Sequence, residues 1–400
     1  MALGPGSSKL CETLEYFGSA QEFFRASESS IKSSGIFTAS AAEKIKSVAF
    51  DLAKRAYEKC QKDGQSILCY GDENYPAMLR NIYCPPAVLY IKGSLPDMDE
   101  EVGITVVGSR KCSSYGYEAA QLLSYRLAKA GAVIISGGAL GIDSAAHRGC
   151  LDAGGKTLGV LACGIDFRYN MANENLRSEI CQNGALISEY PPGTGVQKHH
   201  FHARNRLLAA LARGTVVVEA GEHSGALITA NHAAEQGKDI FALPGNLKSP
   251  FSVGSNRLIK DGAYPVECPL DVLEQYAPFF PHKLRLAGAD EPLFAGTGYA
   301  PKPPKKVENS RTTALLVSEP LKKEEKTKKP AQKSKLPEGL SPEAQMIVCN
   351  TSKSPFNTDD VIESTGLAVG KILRALTELE LFGVVEAMPG GRYVINDDYT

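Results

Sequence analysis

Apolar residues recur at helical spacing through the first 60 positions, in EYFGSAQEFFRAS and AAEKIKSVAFDLAKRAYEKC, and predict short helices there. From about residue 66 to 280 the pattern changes. Short, near-continuous apolar runs (ILCY, AVLYIKG, GITVVGS, AVIISGG, TLGVLACG, ALISEY, TVVVEAG, DIFALPG) alternate with helical stretches such as YGYEAAQLLSYRLAKAG, IDSAAHRGCLDAG and FHARNRLLAALARG. Each helical stretch ends at a glycine before the next apolar run, as a left-handed cap requires. Strands apolar on both faces need cover on both faces, and strand–helix alternation supplies it. The pattern predicts an α/β fold with a doubly wound parallel sheet.

Beyond residue 280 the periodicity is lost. GYAPKPPKK and EPLKKEEKTKKPAQKSK combine proline with lysine runs and predict an extended, solvated linker. Order returns in the last 60 residues. SPFNTDDVIESTG, LAVGKILRALTELELFGVVEAM and the GG-tipped PGGRYVIN give two helices joined by a short turn, then a hairpin, the pattern of a winged helix. The expected organisation is a helical domain over 1–62, a Rossmann-like domain over 63–280, a basic Pro/Lys linker over 281–340 and a winged helix over 341–400. The opening LGPGSSKL turn resembles that of a helix-hairpin-helix unit, whose backbone amides can meet a phosphate. A plain helical packing domain fits it equally well.

The formal net charge of −1 argues at face value against coating a polyanion. Its distribution changes that inference. Residues 301–335 carry 11 basic against 4 acidic side chains, residues 336–400 carry 4 against 10, and residues 101–280 balance at 16 to 16. The neutrality is a cancellation, so any anion site must be local. Ten scattered cysteines with no CxxC fit reduced thiols, the N-terminus lacks a signal-peptide pattern, and no window approaches 18 apolar residues. A cytoplasmic protein without membrane spans is expected.

Open parallel sheets bind ligands outside the carboxyl ends of their strands, and the glycine-rich turns fall there. VVGSRKCSSYG directs Arg110 into that crevice. In SGGALGIDSAAH, Gly137 and Gly138 allow close backbone approach and Gly141 frees the helix start, while Asp143 suits an N-cap or a ribose or base contact. VVVEAGEHSGALITA puts Glu219 at a strand end and Ser224-Gly225 at a helix start. A dinucleotide fingerprint is missing, because GGALGID has no acidic residue about 20 positions on at a strand end. GGKT at Gly154–Thr157 is a turn, since the earlier glycine of a phosphate loop falls on Cys150. In KHHFHARNR, Lys198, Arg204 and Arg206 are candidate phosphate contacts, with Asn205 between the arginines, and Phe201 offers a stacking face. Cations interleaved with an aromatic suit single-stranded nucleic acid. HHxH shows no partner to orient its rings, so no metal and no cofactor is expected. His147 and His223 remain open between acid–base and structural roles.

Seven motifs follow one another in order: VGSRKCSSYG, SGGALGIDSAAHRG, GGKTLGVLACGID, ISEYPPGT, FHARNRLLAAL, VVVEAGEHSGALITANHAAEQGKDIFALPG and GSNRLIKDGA. Together they resemble the DNA-processing protein A (DprA/Smf) family over roughly residues 66–280, and both flanking segments are similar to family flanking domains. The resemblance implies a bacterial single-strand DNA-binding recombination mediator of DNA processing and natural transformation. It also implies that the protein loads the RecA recombinase, dimerises through its Rossmann-like domain and is not an enzyme. Carried over by motif, the DNA site is Arg110, Lys198, Phe201, Arg204, Asn205 and Arg206, with Gly137, Gly138 and Gly141 as backbone phosphate cradle. Cys112, His202 and Asn170 stand where the family usually has proline, which touches local loop geometry. The alternative is a nucleotide-processing enzyme of phosphoribohydrolase type attacking a ribosyl bond with Glu219, but the PGGxGTxxE turn of those relatives is missing. The winged helix has only Lys353, Lys371, Arg374 and Arg392 against nine acids, with Glu378 and Glu380 on its second helix, so duplex reading is not expected of it.

Overall fold

The computed structural model describes residues 3–47, 50–168, 173–295, 299–301, 340–350, 356–381, 384–388 and 392–395. The chain divides into two compact units, Met1–Leu316 and Val317–Thr400. No described helix is long and apolar enough to cross a membrane. Asn170 and the adjoining residues 169–172, and residues 302–339 of the expected linker, lie outside the described residues.

The first unit begins with α1 (Leu10–Phe17), α2 (Ala20–Arg25), α3 (Glu28–Ser33), α4 (Ala39–Ser47) and α5 (Phe50–Asp63). Phe23, Ile31, Phe37, Ala42 and Ile45 form a small core of their own, edged by the Phe17 ring against Phe23. Serine side chains begin two of these helices: Ser19 Oγ accepts the Glu22 N–H and Ser27 Oγ that of Ser30.

The sheet strands are β1 (Ser66–Cys69), β2 (Val88–Gly93), β3 (Gly103–Val107), β4 (Val133–Ser136), β5 (Thr157–Leu161), β6 (Gly184–Ser188), β7 (Gly214–Val217), β8 (Asp239–Ala242) and β9 (Tyr264–Pro265). Their order is β1-β2-β6-β5-β4-β3-β7-β8-β9. From β6 to β9 all pairs are parallel; β1 with β2 and β2 with β6 are antiparallel. The connecting helices are α6 (Ala77–Arg80), α7 (Ser114–Lys129), α8 (Ile142–Asp152), α9 (Glu174–Gln182), α10 (Lys198–Ala210), α11 (Gly225–Glu235), α12 (Val253–Lys260) and α13 (Leu270–Leu273).

Strand side chains alternate between two cores. Ile104, Val106, Ile134 and Val216 join Leu123 and Leu127 of α7 and Ala145 of α8 on one face. Val107, Val133, Ile135 and Val217 join Leu207, Leu208 and Leu211 with Ala230 of α11 on the other. Strands β4, β5 and β6 extend from one side of β3, and β7, β8 and β9 from the other. The order therefore reverses at β3, where an open α/β sheet leaves a crevice beyond its carboxyl ends.

The expected solvated linker does not begin at residue 281. Leu284, Ala289 and Leu293 are buried in the α7–α8 core, and Arg126 of α7 donates to the carbonyls of Glu291, Pro292 and Ala295 at 2.8, 3.0 and 3.1 Å. Tyr299 stacks on Tyr125 with centroids 4.0 Å apart and donates to Asp152 at 2.9 Å. Three apolar residues, one clamped arginine and the Tyr299 ring seat this strap, without any helical or strand period to announce it.

The second unit comprises α14 (Pro342–Asn350), β10 (Phe356–Asn357), α15 (Thr358–Thr365), α16 (Val369–Leu381), β11 (Val385–Met388) and β12 (Arg392–Ile395), with sheet order β10-β12-β11. Ile347, Val361, Ile372, Leu376 and Leu379 centre its core, giving a winged helix. Glu378 of α16 accepts the Ser341 N–H at 2.8 Å and the Ser341 hydroxyl at 2.5 Å, so this acid anchors the start of α14, while Glu380 is exposed.

Candidate nucleic-acid interface

The helix expected over FHARNRLLAALARG begins earlier, at Lys198, so that all of KHHFHARNR lies in α10. That fact sorts its residues. At about 100° per residue, Arg204 lies near the face of Phe201 and Arg206 about 140° away. Helix α10 starts at the carboxyl edge of the sheet, bringing Lys198 and Phe201 to the crevice. The loop after β3 arrives there too, and the Arg110 guanidinium lies 4.4 Å over the centre of the Phe201 ring. Arg110 and Lys198 are exposed and Phe201 half-buried. A planar cation on a ring, at the mouth of a crevice, has the chemistry that stacking bases and phosphates would use.

Arg204 shares the crevice face but is only 5% exposed. Its guanidinium donates to the Val160 carbonyl. A Cβ on Gly137 would fall 2.3 Å from Arg204 Nη1 and 2.4 Å from Asp143 Oδ2, so the missing side chain lets both charged ends converge on the turn. Gly137 thus makes room first for the protein's own arginine and aspartate, in place of the phosphate oxygens the sequence led us to expect. Gly141, at φ +80°, brings the β3 and β4 loops together: a Cβ there would meet the Ser109 and Arg110 carbonyls at 2.4 and 2.6 Å. Gly138 is half-buried beside Leu161. Asp143 acts within its own helix start, accepting the Ala139 N–H at 3.2 Å, which leaves that amide already satisfied.

Arg206 faces elsewhere. It is 6% exposed and donates from Nη2 to both Glu189 oxygens at 2.9 and 2.8 Å. Glu189 Oε1 also accepts the Gly6 N–H at 2.9 Å, so the N-terminal GPG turn meets a carboxylate of the sheet unit. An arginine buried against its own carboxylate is not a phosphate contact, and Arg206 is corrected to a structural cation. Asn205 is buried at 7% exposure and donates to the Gly225 carbonyl at 3.3 Å, which ties α10 to α11. The crevice set that the structure brings together is therefore Arg110, Gly137, Gly138, Gly141, Lys198, Phe201 and, behind them, Arg204.

Of the other titratable candidates, His147 and Glu219 are engaged within the fold. His147 is 1% exposed between Thr157 Oγ1 at 2.7 Å and the Gly137 carbonyl at 2.9 Å, and burial lowers its pKa. His200 stacks on Tyr190 at 4.1 Å and bonds the Ala162 carbonyl; burial and then His199 lower its pKa. His223 is exposed. Glu219, 2% exposed, accepts the Ser113 N–H at 2.8 Å and the Ser113 hydroxyl at 2.6 Å. Its carboxylate sits against the first turn of α7, where a Cβ on Gly116 would strike Glu219 Cδ at 2.3 Å. Both partner acids stand in motifs of the sequence, Glu189 in ISEYPPGT and Glu219 in VVVEAGEHSGALITA, but neither motif announces its partner. Among the described residues no group of three or more His, Cys, Asp or Glu is gathered as a metal site.

Comparison with known proteins bears on the same region. A family model described as DNA recombination-mediator protein A matches residues 66–277, and one described as DprA winged helix domain matches residues 330–391. Protein Smf of Synechocystis sp. is 32% identical over 339 residues, 84% of this chain and 81% of that protein. The DNA processing protein DprA of Bacillus subtilis is 38% identical over 215 residues, 54% of this chain and 72% of that protein. The X-ray structure of DNA processing protein A (DprA) from Streptococcus pneumoniae superposes with a TM-score of 0.61 at 34% identity, covering 68% of this chain and 93% of that one. The match spans the whole sheet and crevice and continues into the winged helix: this chain belongs to the DNA recombination-mediator protein A (DprA/Smf) family.

Proposed function

We propose that the protein binds single-stranded DNA without sequence preference in the crevice of its Rossmann-like domain and loads RecA recombinase onto it, in the cytoplasm, as a homodimer. The observation that carries the reading is the Arg110 guanidinium 4.4 Å over the Phe201 ring at the carboxyl edge of a doubly wound sheet. Bases stack against this pair, on the outer face of the guanidinium or in its place, while Arg110, Lys198 and the glycine turn hold phosphates. The dimer joins two such crevices. RecA loading and dimerisation rest on membership in a recombination-mediator family. Arg110→Ala and Phe201→Ala should each weaken binding to single-stranded oligonucleotides, measured by filter binding at fixed salt, with unfolding unchanged. Unaltered affinity in both overturns the assignment.

The protein acts by binding and not by catalysis on this reading. Glu219, the nucleophile of the competing phosphoribohydrolase reading, is engaged by two donors at the start of α7. Release of free base from a nucleotide panel, abolished by Glu219→Ala, would restore that alternative. The acidic winged helix serves protein contact or supports the dimer, so deleting residues 341–400 should leave oligonucleotide affinity nearly intact.

A further inference from the structure

A second cleft, of about 930 Å3, runs along α10 on the side away from Phe201, from Gly6 and Arg206 to Arg213 and Lys238, and shares no lining residue with the crevice. Arg213 immediately precedes β7 and Lys238 immediately precedes β8, so both stand at amino-terminal strand ends and line this cleft. The charges around it are largely spoken for. Arg206 is paired with Glu189, His232 contacts Glu235 at 3.1 Å, and Asp99 caps α6 by accepting the Ala77 and Met78 N–H groups at 2.7 and 3.1 Å. Arg213 and Lys238 are the exceptions. Arg213 gives one Nη2 bond to the Asp99 carbonyl at 2.5 Å and lies 4.9 Å over the Phe280 ring, and its Nε is a buried donor without a partner. Among the described residues neither cation has a carboxylate within ion-pair distance, although Asp99 and Asp239 are near enough for Lys238 to feel. Burial, and then the like charge of Arg213, lower the pKa of Lys238, a tension that an anion between the two would relieve. Among the described residues Arg206 Nε and Gln236 Oε1 are further buried polar atoms on this wall without partners.

The rim adds an aromatic. Tyr83 lines the cleft and is 84% exposed, and the next residue, Cys84, holds φ 61°, a left-handed conformation uncommon for a side-chain-bearing residue. The loop that presents the ring is thus set in a special backbone shape at a cleft wall. The volume exceeds what a lone carboxylate or phosphate fills and lies in the range of small-molecule sites.

We propose that this cleft binds the phosphate of a nucleotide, held by Arg213 and Lys238, with Tyr83 beside the base. The guanidinium fork and the ammonium point charge are the pair that recurs around phosphate. The site is separate from the crevice and does not rest on the single-strand reading.

The test uses the full chain and the reactivity of Lys238 toward an amine-acylating reagent at pH 8, read at each lysine by peptide mass spectrometry. Deoxyadenosine monophosphate should slow acylation of Lys238 by about tenfold at saturation and leave Lys198 unaffected. Arg213→Gln should weaken that protection by about tenfold. Tyr83→Ala, at an exposed position that folding does not use, should weaken it by a smaller factor. Repeating the titration in the Phe201→Ala protein with a 5′-phosphorylated oligothymidylate separates the sources. Protection by the mononucleotide marks a free nucleotide site, and protection by the oligonucleotide marks a strand phosphate reaching the cleft; either supports the proposal. It is overturned if neither probe slows Lys238, or if the mononucleotide slows Lys198 in parallel. Loss of protection in Phe201→Ala alone would also overturn it, while failure of the crevice reading would leave the mononucleotide result untouched.

Discussion

The two faces of α10 carry the same kinds of residue and use them differently. Toward the crevice, Phe201 is half-buried under an exposed Arg110. Toward the helical domain, Arg206 is buried in a two-pronged pair with Glu189. One arginine keeps its hydration and most of its donors, and can exchange water for phosphate at small cost. The other has already given up water for a carboxylate, and a phosphate would have to displace that partner. Type and spacing of cations therefore do not define a DNA site. What decides is whether a protein anion has been supplied.

This contrast can be broken from the buried side first. Arg206→Ala should destabilise the fold by about 3–5 kcal/mol, since it strands the Glu189 charge, and urea unfolding should show it. A loss below about 1 kcal/mol would return Arg206 to the DNA-binding set. On the crevice side, Phe201→Ala should leave the urea midpoint unchanged and weaken single-strand binding by about 1–3 kcal/mol, read in the dissociation constant. Arg110→Ala should act less on affinity and more on its salt dependence, lowering the slope of log K against log salt by about 1. A slope unchanged from the parent protein would mean that Arg110 steadies the ring but touches no phosphate. The smallest effect concerns His147 behind the glycine turn. Its folded pKa is lowered from 6.5 by burial, so the unfolded chain takes up the proton first. Its contribution is complete above pH 6.5 and is lost as the pH falls toward the lowered folded value. His200 acts with the same sign. The stability profile of His147→Gln should be flatter than the parent's over that window, and identical slopes would remove His147 from the account.

Much of this was legible in the sequence because periodicity reports on burial. The parallel strands from β3 to β8 lie where near-continuous apolar runs stand, and the crevice glycines fall at strand ends as sheet geometry requires. Three things were not legible. The antiparallel edge of β1 and β2 depends on partner choice, which alternation does not encode. The strap over residues 281–295 and 299–301 is held by Leu284, Ala289, Leu293 and carbonyls on Arg126, features without period. Arg206 was misassigned because an RNR motif advertises charge, and its neutralising carboxylate stands 17 residues earlier, beyond β6. Helical spacing over Lys198–Ala210 puts Arg206 about 140° from Phe201, but charge and motif alone do not carry that separation.

Glu189 holds two ligands at once, the Arg206 guanidinium on one side and the Gly6 amide on the other. The first turn of the chain is thereby fastened to the helix that carries Phe201. The exchange rate of the Gly6 amide with deuterium then becomes a gauge of how firmly α10 is seated. If a strand occupies the crevice as proposed, then by reciprocity whatever it does to that helix is written into the N-terminal turn, and releasing the turn feeds back on occupancy by the same factor.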